Sequence, residues 1–265
     1  MPIRYGVLAM ICLSVPAGAQ TPDVFGSSPD HLRRYTDCMA QARRDPLRAL
    51  PMAEKWMADG GGMGARHCVA LAMFGSGRHV QAALQFEAMA RDMGQDRPGL
   101  RAELWAQAGQ AWMEAGQAEN AVAAQSRALE LKPGDVELWV DRGISLAALR
   151  AWPRAISDFD RALALNPGGV EILILRAAAW RNAGDPIKAR ADADRALGLA
   201  RDHSEALLER GFAELARGDR MAAANDFNKV LRLVPTGSDA ALRAQAGLRG
   251  ELPSVPADAK GGGKR

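Results

Sequence analysis

Small and apolar positions return along the chain every 34 residues: Gly109, Gly143, Ala177 and Gly211 form one column, and Ala121, Ala155, Ala189 and Ala223 a second. A fixed period of this length marks an array of stacked supersecondary units, because a single globular core imposes no such repetition. Each period reads as helix, tight turn, helix, turn. In the unit that begins near residue 136 the pattern predicts a first helix over Val136–Leu149 and a second over Pro153–Leu165. Asp135 stands where a side chain can cap the first helix, Pro153 suits a first helical turn, and Pro167 ends the pair. The following units turn at Gly184-Asp185-Pro186 and at Gly218-Asp219, with Pro235 closing the latter. Glycine at these turns supplies the left-handed conformation that a helix end requires.

Upstream the pattern loosens. Met63–Ser76 and the run through Ala82, Phe86 and Met89 predict one degenerate pair, and Pro29–Arg44 with Leu47–Asp59 predict another that ends in Gly60-Gly61-Gly62. Downstream, Asp239–Leu248 reads as a single closing helix whose Arg243 and Gln245 suit the polar outer face that a terminal unit needs. Residues 250–265, rich in Pro, Gly, Lys and Ala, read as a disordered tail.

Composition narrows the class. Hydrophobic residues are 48% and charged residues 25%, ordinary for a folded chain, and abundant alanine favours closely approaching helices. Lys and Arg number 34 against 31 Asp and Glu and are dispersed, which argues against a nucleic-acid footprint. Arg4, the apolar Tyr5–Val15 and the small residues Ala17-Gly18-Ala19 form the pattern of an export signal, with cleavage expected after Ala19 and a linker over 20–28. No segment offers the ~20 apolar residues of a membrane anchor. The expected location is therefore the periplasm or outside the cell. Removal of the signal takes Cys12 with it and leaves Cys38 and Cys68, an even count that favours a disulfide in an oxidising compartment, with two separate thiols as the alternative.

The columns resemble the tetratricopeptide repeat. Its opening pattern is matched by Trp105, Ala108, Gly109 and Trp112, its second-helix alanines by Ala121 and Ala128, and its closing proline by Pro133. The next unit matches through Trp139, Gly143, Leu146, Ala155, Phe159, Ala162 and Pro167; the third through Leu173, Ala177, Trp180, Ala189 and Ala196; the fourth through Leu207, Gly211, Ala223, Phe227 and Pro235. The resemblance implies an all-α, right-handed solenoid of antiparallel helix pairs. Repeats are expected at 102–135, 136–169, 170–203 and 204–237, after degenerate pairs over 29–101 and before a capping helix at 238–249.

In this family the first helices line a concave face that takes peptides. Positions one step round from the core stripe include Gln110, Val140, Ile144, Ile174, Arg181, Leu208, Phe212 and Leu215, edged by a glutamate column at Glu103, Glu137, Glu171 and Glu205. An apolar trough with an acidic rim suits a partner with apolar and basic side chains. The same residues can instead be core, and glutamate near a helix N-terminus is favoured by the helix dipole without any ligand. The lysine and asparagine grip on a terminal carboxylate, known in some family members, has no counterpart among Ala106, Gln110, Val140 and Ile144.

One covariation is internal to the repeats. Arg142, Arg176 and Arg210 precede the small column, and Asp158, Asp192 and Asp226 stand on the second helices of the same units, whereas the unit from 102 has Ala108 and Ala124 at both positions. Joint presence and joint absence predict a structural ion pair between the two helices; an arginine row for an acidic ligand is the alternative. His67-Cys68 with His79 is too thin for a metal site, and the nucleophile-elbow, zincin, phosphate-loop and haem motifs do not occur. The sequence therefore points to a scaffold that binds protein or peptide without catalysis, metal or cofactor. The alternatives are a self-associating spacer whose groove its own chain fills, and an enzyme with a site of unfamiliar type.

Overall fold

The computed structural model describes residues 28–253; the expected signal, most of the linker and the last twelve residues of the tail lie outside them. Among the described residues thirteen α-helices and no strands form, and the chain divides into two compact units, one through Gln117 and one from Ala118. The division falls between the two helices of the expected unit 102–135.

The first unit holds α1 (Pro29–Arg44), α2 (Pro46–Ala58), α3 (Gly62–Gly75), α4 (His79–Asp92) and α5 (Pro98–Glu114). The helix α2 starts one residue before the expected Leu47, because Asp45 caps it through the Arg48 amide and Pro46 takes the first position, where no N–H is needed. Strongly polar α1 buries only Ala42. A Cys38–Cys68 disulfide, with Cα atoms 6.1 Å apart, ties it to α3. Closing a loop of about 30 residues, such a bond is worth roughly 3–4 kcal/mol through the unfolded chain. Ala49, Leu50, Ala53 and Trp56 of α2 pack with Ala65, Cys68, Val69 and Ala72 of α3. Between α4 and α5, the Trp112 indole donates to Glu87 at 2.8 Å and Arg91 lies over the Trp105 ring.

The second unit holds α6 (Ala118–Leu131), α7 (Val136–Ala148), α8 (Trp152–Leu165), α9 (Val170–Asn182), α10 (Pro186–Leu199), α11 (Ser204–Ala216), α12 (Arg220–Leu233) and α13 (Asp239–Leu248). Asp135, Asp185, Asp219 and Ser238 cap α7, α10, α12 and α13 by accepting from first-turn amides. Helices α7/α8, α9/α10 and α11/α12 pack as hairpins, and the first helices α7, α9 and α11 also touch in sequence order. The core runs through Leu146, Phe159, Leu173, Leu207, Phe212 and Phe227.

The small column has a direct cause. A Cβ on Gly143 would stand 2.5 Å from the Phe159 ring, and one on Gly211 2.7 Å from the Phe227 ring. The third unit places Ala177 in that column, and at the ring position it carries the buried Ala193 instead of phenylalanine. The turn column Gly116, Arg150, Gly184, Gly218 is left-handed throughout, with φ of 71°, 57°, 87° and 88°, so Arg150 adopts a conformation that its three equivalents assign to glycine.

Candidate functional site

The three arginines of the covariation each grip their aspartate with two nitrogens. Arg142 Nε and Nη2 donate to Asp158 at 2.8 and 2.9 Å, Arg176 to Asp192 at 2.8 and 2.6 Å, and Arg210 to Asp226 at 2.8 and 2.7 Å. Each remaining Nη1 reaches the preceding second helix, at Ser126, Asp160 and Asp194 respectively. One guanidinium thus joins three helices, through a third column that the sequence reading missed although it too repeats at the same period. The aspartates are buried, with side-chain exposures of 6–9%. Hydrogen bonding to these aspartates raises the Arg176 and Arg210 pKa values above the ordinary arginine value despite the opposing effect of burial. With its charge matched in place, this row presents little free positive potential to a ligand.

The first-helix face of the second unit is split into two parts. Toward its C-terminal end Leu208 and Phe212 are 0% and 1% exposed and Ile174 is 7% exposed, so these three expected groove residues are core. Leu208 and Phe212 are covered because α9 and α13 close over α11. Arg181 Nε donates to Glu209 at 3.0 Å, Arg243 donates to Glu205 at 2.7 Å and to Glu209 at 3.3 Å, and both guanidinium groups lie over the Phe212 ring at 5.6 and 6.0 Å. Leu215 is half-buried beside them. Of the glutamate column, Glu205 belongs to this network and Glu171 meets the His203 ring at 2.9 Å.

On α7 the face is open. Val140 and Ile144 are half-buried, Glu137 is exposed one turn before Asp141, and neither carboxylate has a hydrogen-bonding or ionic side-chain partner among the described residues. Burial, then repulsion from Glu137 and Asp135, pushes the Asp141 carboxyl up to about 7. Sequence reading passed over Asp141 because its column is broken by Leu175, although Glu209 two periods on carries the same charge in different surroundings.

In the first unit Glu103 and Gln110 on α5 are half-buried. His67 is fully engaged there: Tyr35 Oη lies 2.7 Å from its Nδ1 and Gln107 Oε1 lies 2.9 Å from its Nε2. With Tyr35 donating to Nδ1 and Nε2–H donating to Gln107, a neutral ring satisfies both contacts, and burial lowers its pKa to about 4. Cys68 is committed to the disulfide, so the His67, Cys68 and His79 group does not converge on a metal, and among the described residues no cluster suited to a metal forms. Among them, no helix is long and apolar enough to cross a membrane.

Residues 108–180 match the tetratricopeptide repeat family. No curated protein matches the chain. Solved structures do. MamA from Desulfovibrio magneticus RS-1 is similar with a TM-score of 0.57 at 20% identity, over 63% of this chain and 92% of that one. TTC0263, a tetratricopeptide protein of Thermus thermophilus, is similar with a TM-score of 0.53 at 19% identity, over 69% of this chain and 97% of that one. YrrB, described as a tetratricopeptide protein with an unusual peptide-binding site, is similar with a TM-score of 0.56 at 16% identity, over 70% and 91%. At these identities the likeness is one of fold. Residues 108–180 thus belong with the tetratricopeptide repeats, and repeat columns and shared architecture give the chain the all-α fold of that type.

Proposed function

We propose that this protein is an exported scaffold that holds a peptide segment of a partner protein on the first-helix face of α7, in the bacterial cell envelope and without catalysing a reaction. The observation that carries the reading is the contrast along that face. At α11 the chain covers its own apolar and acidic residues with Arg181 and Arg243, whereas at α7 it leaves Val140, Ile144 and Asp141 without such a cover. A half-buried apolar strip with a carboxylate in it is a surface that a peptide side chain can complete. Export is supported by the signal-like residues 4–19 and by the Cys38–Cys68 disulfide, which an oxidising compartment maintains.

The test is site-specific photo-crosslinking in the native host with a photoreactive residue at Ile144, compared with one at Leu165 on the second helix of the same unit. Capture of a distinct protein from Ile144, absent from Leu165 and abolished by Val140→Glu, is the expected result. Equal capture from both positions, or capture of this chain alone, refutes the peptide-binding reading. Recovery of the mature chain with the cytoplasmic fraction refutes export.

A further inference from the structure

The repeats contain an internal example of what the open face of α7 would bind. On α11, Glu205 and Glu209 stand one helical turn apart with Phe212 beyond them, and the Arg243 guanidinium of α13 bridges the two carboxylates while lying over the ring. Two periods upstream the same positions are Glu137, Asp141 and Ile144. The acidic pair and the apolar neighbour are kept. Both cations that neutralise Glu209 are lost, because the residues at the repeat positions of Arg181 and Arg243 are Met113 and Leu175. In the unit between, Leu175 itself takes the acid position, so among the described residues α7 alone carries the pair without an internal guanidinium. Arg142, next to Asp141 on the same helix, is committed to Asp158 and Ser126.

We infer that Glu137 and Asp141 form a docking site for an arginine side chain of the partner, with Ile144 and Val140 receiving the apolar residues beside that arginine. This rests on the reading of the α7 face as a peptide-binding surface and names the chemistry of the peptide. The occupant is an arginine-bearing helix or extended segment with an apolar neighbour, the arrangement that α13 presents to α11 through Arg243. Charge complementarity selects it: a guanidinium spans two carboxylates one turn apart with separate nitrogens, and it relieves the repulsion that acts on Asp141 when the face is empty. An acidic or phosphorylated peptide would add charge of the same sign and be rejected.

The probe is a fluorescently labelled synthetic peptide of residues 238–250 of this chain, compared with the same peptide carrying Arg243→Gln. Binding is measured by anisotropy at low ionic strength to the full-length protein and to its Asp141→Asn and Glu209→Gln variants. The arginine peptide is expected to bind at least tenfold more tightly than the glutamine peptide, and that ratio is expected to fall to about one in Asp141→Asn while persisting in Glu209→Gln. Circular dichroism shows whether Asp141→Asn remains folded; its stability at pH 8 is expected to match or exceed that of the parent, which separates a ligand site from a structural carboxylate. Equal binding of the two peptides overturns the inference, as does a ratio that survives Asp141→Asn and collapses in Glu209→Gln, where the probe would be displacing α13. Failure of either peptide to bind also overturns it, and capture from Ile144 then decides separately whether the face binds a partner of another kind.

Discussion

A methyl group on Gly143 tests the packing that sets the repeat. Its Cβ would stand 2.5, 2.9 and 2.9 Å from three Phe159 ring atoms, against the ~3.5–4.0 Å at which carbon atoms rest, so the ring has to retreat by about 1 Å. Phe159 is 1% exposed and belongs to the continuous core, so this retreat costs the ~1–3 kcal/mol of an overpacked site. Alanine also gains about 1 kcal/mol over glycine in the middle of a helix. The expected net effect of Gly143→Ala is a loss of about 1 kcal/mol. In a Phe159→Ala background, itself destabilised by roughly 3–5 kcal/mol, the clash is gone and only the helical gain remains. There, Gly143→Ala should stabilise by about 1 kcal/mol. The sign of one substitution therefore reverses with the identity of a residue on the neighbouring helix, a coupling of about 2 kcal/mol. Urea unfolding of the four proteins by far-ultraviolet circular dichroism measures it. The same shift in both backgrounds would refute the argument that the glycine is there for the ring. The chain contains its own version of the double variant in Ala177 and Ala193, both fully buried.

Three further outcomes are expected. Arg142→Gln strands the buried Asp158 and should cost about 3 kcal/mol, and the exchange Arg142→Asp with Asp158→Arg should recover part of it in the same urea assay. This unit is the one to exchange because its third contact, Ser126, is neutral, whereas Asp160 and Asp194 would repel the reversed pair in the others. Arg150→Gly should raise stability by roughly 1 kcal/mol by removing a side chain from a left-handed turn; a loss would show that the arginine's contacts outweigh its backbone cost. His67, lowered to about 4 by burial, binds a proton more readily in the unfolded chain, so its contribution is fully present above pH 6.5 and is lost as the pH falls from 6.5 toward 4. Because the raised Asp141 carboxyl acts in the opposite sense over the same range, the measure is the difference between parent and His67→Gln, which should change by about 3 kcal/mol between pH 6.5 and 4; a difference that stays constant with pH would sink the assignment.

Most of the fold was legible because a repeat writes each physical requirement several times. The bounds of α1 and α13 follow from caps and periodicity, and the shift at α2 from the preference of proline for a first helical turn. The arginine and aspartate columns could be paired from their joint loss alone. What a single period could not show was depth. Leu208 and Phe212 occupy the same face as Val140 and Ile144, yet they are buried, with α13 packed on their helix and two guanidinium groups over the Phe212 ring once the helices stack. Asp141 escaped notice for a related reason: a lone acid on a helix face reads as a solvated charge until the space around it is known.

An array carries its own controls, since every position has equivalents under nearly the same backbone. Some departures from the columns are matched elsewhere. Ala177 departs from glycine and Ala193 departs from phenylalanine with it; Ala108 departs from arginine and Ala124 from aspartate with it. Such paired changes leave the packing satisfied and ask for nothing outside the fold. The acidic pair on α7 is a departure of the other kind, because the carboxylates of the α11 site recur there while both of its arginines are replaced by apolar residues. If Asp141 served the fold, its burial would be offset by a partner within the chain, as that of Asp158, Asp192, Asp226 and Glu209 is. An uncompensated carboxylate held at a cost, in the one unit of its type that lacks a covering arginine, is the arrangement expected where the compensation comes from another molecule.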